Sequence, residues 1–582
     1  MTEVPNQPAP PSRLRTLLAP LLIVAAALVY YGSYLGYWFN PHDEGGTAAF
    51  IAKRLLDGEV PLRDVELGYN VMWFWPIVGL FKIGGVNFLL MRAYFFALAT
   101  ITALCGWTLV RRVTRSEWLA LAVGLALVAF PGSQFKNYNP LLCIANMLCI
   151  ATAALAAVDT PARFWRRAGL GGAVLGLSFL VRIDIGFLFG AMWAGLFALR
   201  LFDTRLAARG RWVDTLAAAA VLASGVVLTH APVYAIARSQ GFDRQFVRQY
   251  PGWLDFLTKQ AGVIGPKAAP APGAAARKKP PRPANVPPVS RATLPRVSWA
   301  SFVSFQDSDK SALFALTYLP LLTYVGLIGV AAFGALRALL RREFALDHPA
   351  TLALLLLGGS LTTFPQFFFF RPDRPHLSEF MPGFIAATTC AVMLLSMGLP
   401  RVGRLAIAAF FAAHFCLFGW FALDHYSAGT IAARITTKPN KRMFFEAANG
   451  VRVWVPKKDF AKLDGVRRAI VGNARPGEWV VCYPYQPGYN LMTDRPTYER
   501  DLYMDNATAP RDWAGKAIAR IERKRPAVIV IDERAINVVE FSRFSWWAKP
   551  VYEYVRANYH HAGTFDTTEV YARDPLPEPK AP

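Results

Sequence analysis

The chain has 582 residues, 54% of them hydrophobic, with a mean hydropathy of +0.28 and a formal net charge of +24. This is more apolar than water-soluble domains are, so a soluble globular enzyme is excluded as the whole answer. The positive charge does not call for nucleic acid, because most of it falls where membrane topology puts it.

Residues 1–16 read as a short cytoplasmic tail carrying Arg13 and Arg15. The run "LLAPLLIVAAALVYYGSYLGYWF" follows, from Leu17 to Phe39. It is too long for a signal-peptide core and has no small-residue cleavage site, so it reads as an uncleaved first span. Further apolar runs lie near 88–110, 117–131, 140–158, 169–184, 186–201, 214–236, 313–338, 351–370, 381–399 and 404–423. The stretch 169–201 reads as two spans or as one broken helix. The expected fold class is a polytopic α-helical membrane protein of about eleven transmembrane helices, occupying 17–423.

The loops give the orientation. Arg111, Arg112 and Arg115, then Arg163, Arg166 and Arg167, then Arg200, Arg205, Arg209 and Arg211, then Arg337, Arg341 and Arg342, then Arg401 and Arg404 all fall on one side. That side is expected to be cytoplasmic. Three regions then face outward: a first external loop at 38–87, a long loop at 237–311, and residues 424–582. The long loop holds "GPKAAPAPGAAARKKPPRPANVPPVSRATLPR", too rich in Pro, Ala and basic residues to bury a core, and is expected to be partly disordered.

Residues 424–582 read as a small soluble α/β domain. "GEWVVCYPY", "PAVIVID" and "TTEVYARD" read as strands, and "RDWAGKAIARIERKR" and "WWAKPVYEYVRANY" as helices. The six cysteines form no paired framework and no metal-binding spacing.

Four polar clusters face outward. His42, Asp43 and Glu44 follow the first span. Asp43 suits the N-cap of a short amphipathic helix ending at Gly58, but capping does not require two carboxylates at the mouth of a span. The aromatic-rich "PLRDVELGYNVMWFWPIVGLFKIGG" after it reads as a helix lying on the membrane surface. In "FFFFRPDRPHLSEFMP", Arg371, Asp373, Arg374, His376 and Glu379 fall in a very short external loop. Two arginines and a histidine there suit a phosphate; the alternative is snorkelling arginines paired with Asp373. Arg182 and Asp184 interrupt "FLVRIDIGFLFG", either as functional charges or as a pair holding helices together. Lys136 lies in "PGSQFKNYNP" and adds a cation at the same face.

A first span followed by "NPHDEGG", the Pro-containing "WFWPIVGLFKIGGVNFLLMRAYF", "GLSFLVRIDIG", and an α/β tail closing on "VYAR" together resemble the GT-C superfamily of membrane glycosyltransferases. The likeness is in particular to bacterial relatives of the protein O-mannosyltransferases and the lipid A aminoarabinose transferases. The resemblance implies transfer of a hexosyl or pentosyl group from a polyprenyl-phosphate donor, on the periplasmic face of a bacterial inner membrane. The acceptor is a hydroxyl on a lipid, glycan or protein of the cell envelope. An acidic residue in the first external loop serves as base, a position matched by Asp43, with Glu44 beside it. Direct displacement inverts the anomeric centre. Arg371, Arg374, His376, Arg182 and Lys136 are the expected donor-phosphate ligands, with His42, Asp184 and Asp373 as further candidates. The chemistry calls for no cofactor; a divalent cation, Mg or Mn, at Asp43 and Glu44 is the alternative. The rival functions are a transporter or flippase, and an O-antigen ligase or polymerase acting in envelope glycan assembly.

Overall fold

The computed structural model describes residues 13–42, 48–129, 139–158, 161–204, 206, 208–261, 308–363, 374–407, 409, 411, 441–502, 504, 509–510, 512–535 and 542–574. It is mostly helical, with a small sheet domain at the C-terminal end. The membrane part comprises α1 (Arg13–Leu35), α4 (Phe88–Thr114), α5 (Glu117–Ala129), α6 (Asn139–Val158), α7 (Pro161–Val181), α8 (Ile183–Arg200), α9 (Ala208–Ser239), α11 (Ser308–Leu340), α12 (Pro349–Ser360) and α13 (Arg374–Ser396). Three short or peripheral helices accompany them: α2 (Ile51–Leu56), α3 (Trp75–Gly84) and α10 (Asp243–Ala261). Among the described residues, seven helices are long and apolar enough to cross a bilayer, and α5 and α12 are shorter apolar helices. The expected span at 404–423 lies almost wholly outside the described residues, as does the Pro/Ala-rich stretch of the long loop.

The stretch 169–201 resolves into two antiparallel arms. Gly171 on α7 packs against the indole of Trp193 on α8, and Gly186 packs against the ring of Phe179. Both pairs sit about evenly on either side of Arg182, so the chain folds back there. Arg182 itself is extended, with φ −156° and ψ 114°. On its other side α7 meets α9 almost backbone to backbone, because Gly172 faces the Leu222 carbonyl and Gly225 faces the Gly169 carbonyl. Small residues allow such close approach between helices in lipid.

The segment between α1 and α4 is not a pair of helices lying free on a surface. The segment 48–56 and α3 bury Ala48, Phe50, Ile51, Ala52, Ile77 and Phe81, and the short 3-10 turn Val71–Trp73 between them buries Val71 and Trp73. These side chains join one core with residues of the C-terminal domain, including Phe445, Val453, Val466, Val480, Tyr489 and Val528. The apolar side chains of 48–56 are therefore covered by protein, and burial of that apolar area outweighs a surface position.

The C-terminal domain has two sheets. β1 (Arg442–Ala447) and β2 (Val451–Pro456) form an antiparallel hairpin. Its turn has positive φ at both Asn449 and Gly450, the requirement of a tight hairpin turn. The second sheet has the order β3-β4-β6-β5, from β3 (Val480–Tyr483), β4 (Val528–Asp532), β5 (His560–Phe565) and β6 (Thr568–Ala572). β3 and β4 are parallel, joined through the helix Trp513–Lys524; β6 runs antiparallel to both β4 and β5. The strands expected in "GEWVVCYPY", "PAVIVID" and "TTEVYARD" and the helices expected in "RDWAGKAIARIERKR" and "WWAKPVYEYVRANY" are all present, at Val480–Tyr483, Val528–Asp532, Thr568–Ala572, Trp513–Lys524 and Lys549–Asn558.

Contacts sort the connections into two ends. At one end, Asn70 N donates to the Val181 carbonyl and Phe88 N to the Asn449 carbonyl, gathering the first loop, the α7–α8 tip and the C-terminal domain. At the other, Thr204 N donates to the Phe344 carbonyl, Leu346 N to Asp203, and Arg111 pairs with Glu117. The arginine-rich connections lie at this second end.

Candidate active site

Two polar constellations flank the segment between α1 and α4. The first is at the tip of the α7–α8 turn. Arg182 is 6% exposed and grips Asp184 with two parallel bonds, Nε to Oδ1 at 2.9 Å and Nη2 to Oδ2 at 3.0 Å. Its guanidinium lies 5.8 Å from the Tyr69 ring centroid. Tyr69 in turn stacks on Trp73 at 5.3 Å. Asn70 fixes this wall to the turn: its Nδ2 donates to the Phe179 carbonyl, and its Oδ1 accepts from Val71 N. Glu379, on α13 and 1% exposed, is close enough to act electrostatically on Arg182. The two bonds to Asp184 use Nε and Nη2, and the buried Nη1 has no hydrogen-bond partner among the described residues. A buried donor without a partner is costly, so a site of this kind favours an anionic or carbonyl oxygen at Nη1.

Below the turn, between α8 and α12, lies an apolar cavity of about 320 Å³. Leu188, Met192, Leu199, Leu355, Leu361 and Thr362 are among its lining residues. Its lining runs along α8 from the turn towards the far end of the helix.

The second constellation joins the first loop to the end of β4. His42 places Nε2 3.2 Å from Asp532 Oδ2 and Nδ1 3.0 Å from the Tyr485 carbonyl. Asp532, 1% exposed, also accepts from Thr567 Oγ1 at 2.6 Å, from Arg534 N at 3.1 Å and from Gln486 Nε2. Burial alone would raise its pKa. The hydrogen bond and charge of His42, with Lys462 and Thr567, outweigh burial and hold the carboxyl well below the usual carboxylate range. The chain around it is docked as well: Gly488 N donates to the Pro41 carbonyl, Arg54 to the Glu499 carbonyl, and Arg500 to Glu66.

Of the residues singled out in the sequence, the structure brings Arg182 and Asp184 together and gives His42 a partner in the C-terminal domain. Asp43, Glu44, Lys136, Arg371 and Asp373 lie outside the described residues. Arg374 and His376 open α13, so they belong to the first turn of a helix and not to a loop; their side chains lie outside the described residues. Pro375 is compatible with that position, since a helix start needs no N–H there. Among the described residues no group of three His, Cys, Asp or Glu is placed to hold a metal.

Tyr69, Asn70, Gln486 and Asp532 carry no motif that singles them out. The available signal for Asp532 is an acid at the C-terminal end of an apolar strand, where α/β sheets commonly place functional side chains.

No known protein-family model matches the chain, and no curated protein sequence does. Solved structures do resemble it. ArnT from Cupriavidus metallidurans bound to undecaprenyl phosphate superposes with a TM-score of 0.52 at 13% identity, covering 95% of this chain and 97% of that one. The same protein in the apo state gives a TM-score of 0.51 at 12% identity over the same shares. The archaeal oligosaccharyltransferase AglB from Archaeoglobus fulgidus, in complex with an inhibitory peptide and a dolichol-phosphate, covers 97% of this chain and 76% of its own at 12% identity, with a TM-score of 0.49. At these identities the likeness speaks for architecture, and the ArnT pair carries it. Over nearly its whole length, the chain has the fold of ArnT, multi-pass helices with a C-terminal α/β domain at one end.

Proposed function

We propose that the chain is a membrane glycosyltransferase that moves a sugar from a polyprenyl-phosphate donor to an envelope hydroxyl on the periplasmic face. The observation that supports this most is the buried Arg182 at the outer turn, with Nη1 unpartnered among the described residues. It sits in a fold whose ArnT representative was solved with undecaprenyl phosphate. The apolar cavity beneath the turn suits part of an isoprenoid tail, and the turn stands at the end of the apolar helix Ile183–Arg200, where a headgroup would be met.

Asp43 removes the proton of the acceptor hydroxyl as its oxygen attacks the anomeric carbon. The new carbon–oxygen bond forms while the bond from that carbon to the donor phosphate breaks, and the electron pair leaves on the phosphate. Arg182 already spends most of its charge on Asp184. The leaving phosphate therefore needs further cations, and Arg371, Arg374, His376 and Lys136 are the groups assigned to it. Glu44, Asp373 and Asp184 orient these groups. His42 holds the acidic pair to the C-terminal domain.

The test is incubation of the purified protein with a panel of polyprenyl-phosphate hexoses and pentoses. Free polyprenyl phosphate should appear with one of them, with and without chelator to settle whether Asp43 and Glu44 work with Mg or Mn. Release from none of the panel, in the presence of envelope lipid, glycan and protein acceptors, overturns the transferase reading in favour of transport.

A further inference from the structure

Strand β2 alternates cleanly between buried and exposed residues, and in β1 Phe445 is buried between exposed neighbours. Phe445, Val451, Val453 and Val455 point into the shared core and are almost fully buried. A sheet with one buried face normally turns a polar face to water. This one does not. Its outward face carries Phe444 and Trp454, 47% and 49% exposed, directly paired across the strands with ring centroids 5.3 Å apart. Arg442 and the Arg452–Glu446 pair border them, and Arg442 lies over the Tyr37 ring at 5.2 Å. Trp38, 48% exposed, and Met443, 38% exposed, lie nearby in the chain.

Two attachments fix the height of this hairpin. Trp454 N donates to the Gly36 carbonyl at 2.8 Å, and Trp38 N to the Trp454 carbonyl at 2.9 Å. The middle of β2 is thus bound to the residues immediately after α1. The Asn449–Gly450 turn is bound to the first residue of α4, since Phe88 N donates to the Asn449 carbonyl. Gly450 also packs on Asn87 so closely that no side chain fits. α1 and α4 are both apolar helices long enough to cross a bilayer, and the hairpin bridges their ends. It therefore lies at the level where hydrocarbon gives way to headgroups. Tryptophan and tyrosine concentrate at that level, with an apolar body and a polar tip. Arginines beside them reach phosphate oxygens.

We infer that the outward face of the β1–β2 hairpin is a membrane-docking surface, seated in the headgroup layer through Phe444 and Trp454 with Arg442 on lipid phosphate. The C-terminal domain thereby stands on the bilayer and not merely above it. This inference is independent of the transferase reading, and holds for any activity of this fold.

The test uses the full chain reconstituted into phosphatidylglycerol–phosphatidylethanolamine vesicles. A nitroxide is attached at Phe444→Cys, at Trp454→Cys and, as an aqueous control, at Lys516→Cys on the exposed side of the helix Trp513–Lys524. The parent chain labelled identically serves as the blank for the native cysteines. Collision with oxygen is compared with collision with a water-soluble nickel chelate. The expected result is an oxygen-to-nickel ratio at 444 and 454 several-fold above that at 516. A ratio equal to that at 516 means the face is in water and overturns the inference. Low collision with both reagents means protein covers the face, such as this chain's own 412–440 segment, and overturns it equally. Arg452→Cys, at the edge of the same face, repeats the measurement should either aromatic substitution fail to fold.

Discussion

Asp532 and Arg182 are both buried charges, but they sit in opposite situations. Asp532 is saturated: His42, Thr567, Gln486 and the Arg534 amide occupy its oxygens. Its depressed pKa means that the folded chain binds its proton less well than the unfolded chain does. The stabilisation is fully present above the ordinary carboxylate value of about 3.9, and is lost as pH falls through the lower folded value. Asp532→Asn should cost about 3 kcal/mol, the loss typical of breaking a buried pair. It should also flatten the acid limb of a thermal-stability profile measured below about pH 4. An unchanged profile would show that His42 and Asp532 do not form a working pair. Arg182 has a donor to spare among the described residues. Arg182→Lys keeps the charge but loses the fork on Asp184, so turnover should fall at least tenfold while the chain stays folded. Asp43→Asn, if Asp43 is the base, should abolish turnover and leave donor binding nearly intact, read as separate kcat and binding measurements. The sequence shows Arg182 and Asp184 readily, because charges inside an apolar run stand out. It does not show Asp532, because its partner His42 is 490 residues away and nothing local marks the contact.

At the level of elements, hydropathy locates the apolar helices well and fails where packing decides. Arg182 and Asp184 interrupt one apolar run, and the run alone does not say whether the chain continues or turns back. The answer lies in Gly171 on Trp193 and in the glycine seam between α7 and α9. Gly172 is the sharpest point of that seam, because a methyl there meets the Leu222 carbonyl, a backbone atom that cannot swing aside. Gly172→Ala should destabilise the protein by about 1–3 kcal/mol. Gly190→Ala, on α8 with nothing near its missing methyl, should be neutral or slightly stabilising. Thermal unfolding in detergent distinguishes the two; equal effects would mean the seam is not tightly packed. The β1–β2 hairpin has a legible signature in the sequence, although the strands expected above do not include it. "KRMFFEAANGVRVWVP" has Asn-Gly between alternating apolar positions, a strong short-range hairpin signal. The exposed aromatics on its second face blurred the alternation.

For the whole molecule, the arginine-rich connections and the C-terminal domain lie at opposite ends of the helical part. With the positive end on the cytoplasmic side, a reporter active only in the periplasm should be active when fused after residue 582. Activity of a cytoplasmic reporter there would invert the orientation and with it the side on which the proposed site works. Arg92 shows how firmly the chain leaving α1 is tied to its neighbouring helix. It is buried on α4 and donates to the carbonyls of Tyr34, Leu35, Tyr37 and Trp38, closing the end of α1. The His42 contact with Tyr485 spans 443 residues. A ribosome adding about 5–20 residues per second needs roughly 20–90 seconds to make that distance. Throughout that interval the newly emerged first loop lacks the C-terminal residues that complete its core, although Trp73 already meets Tyr69 and Phe95. Its apolar side chains must wait against lipid or a chaperone, and the half of the site they support is assembled last, when the final strands arrive.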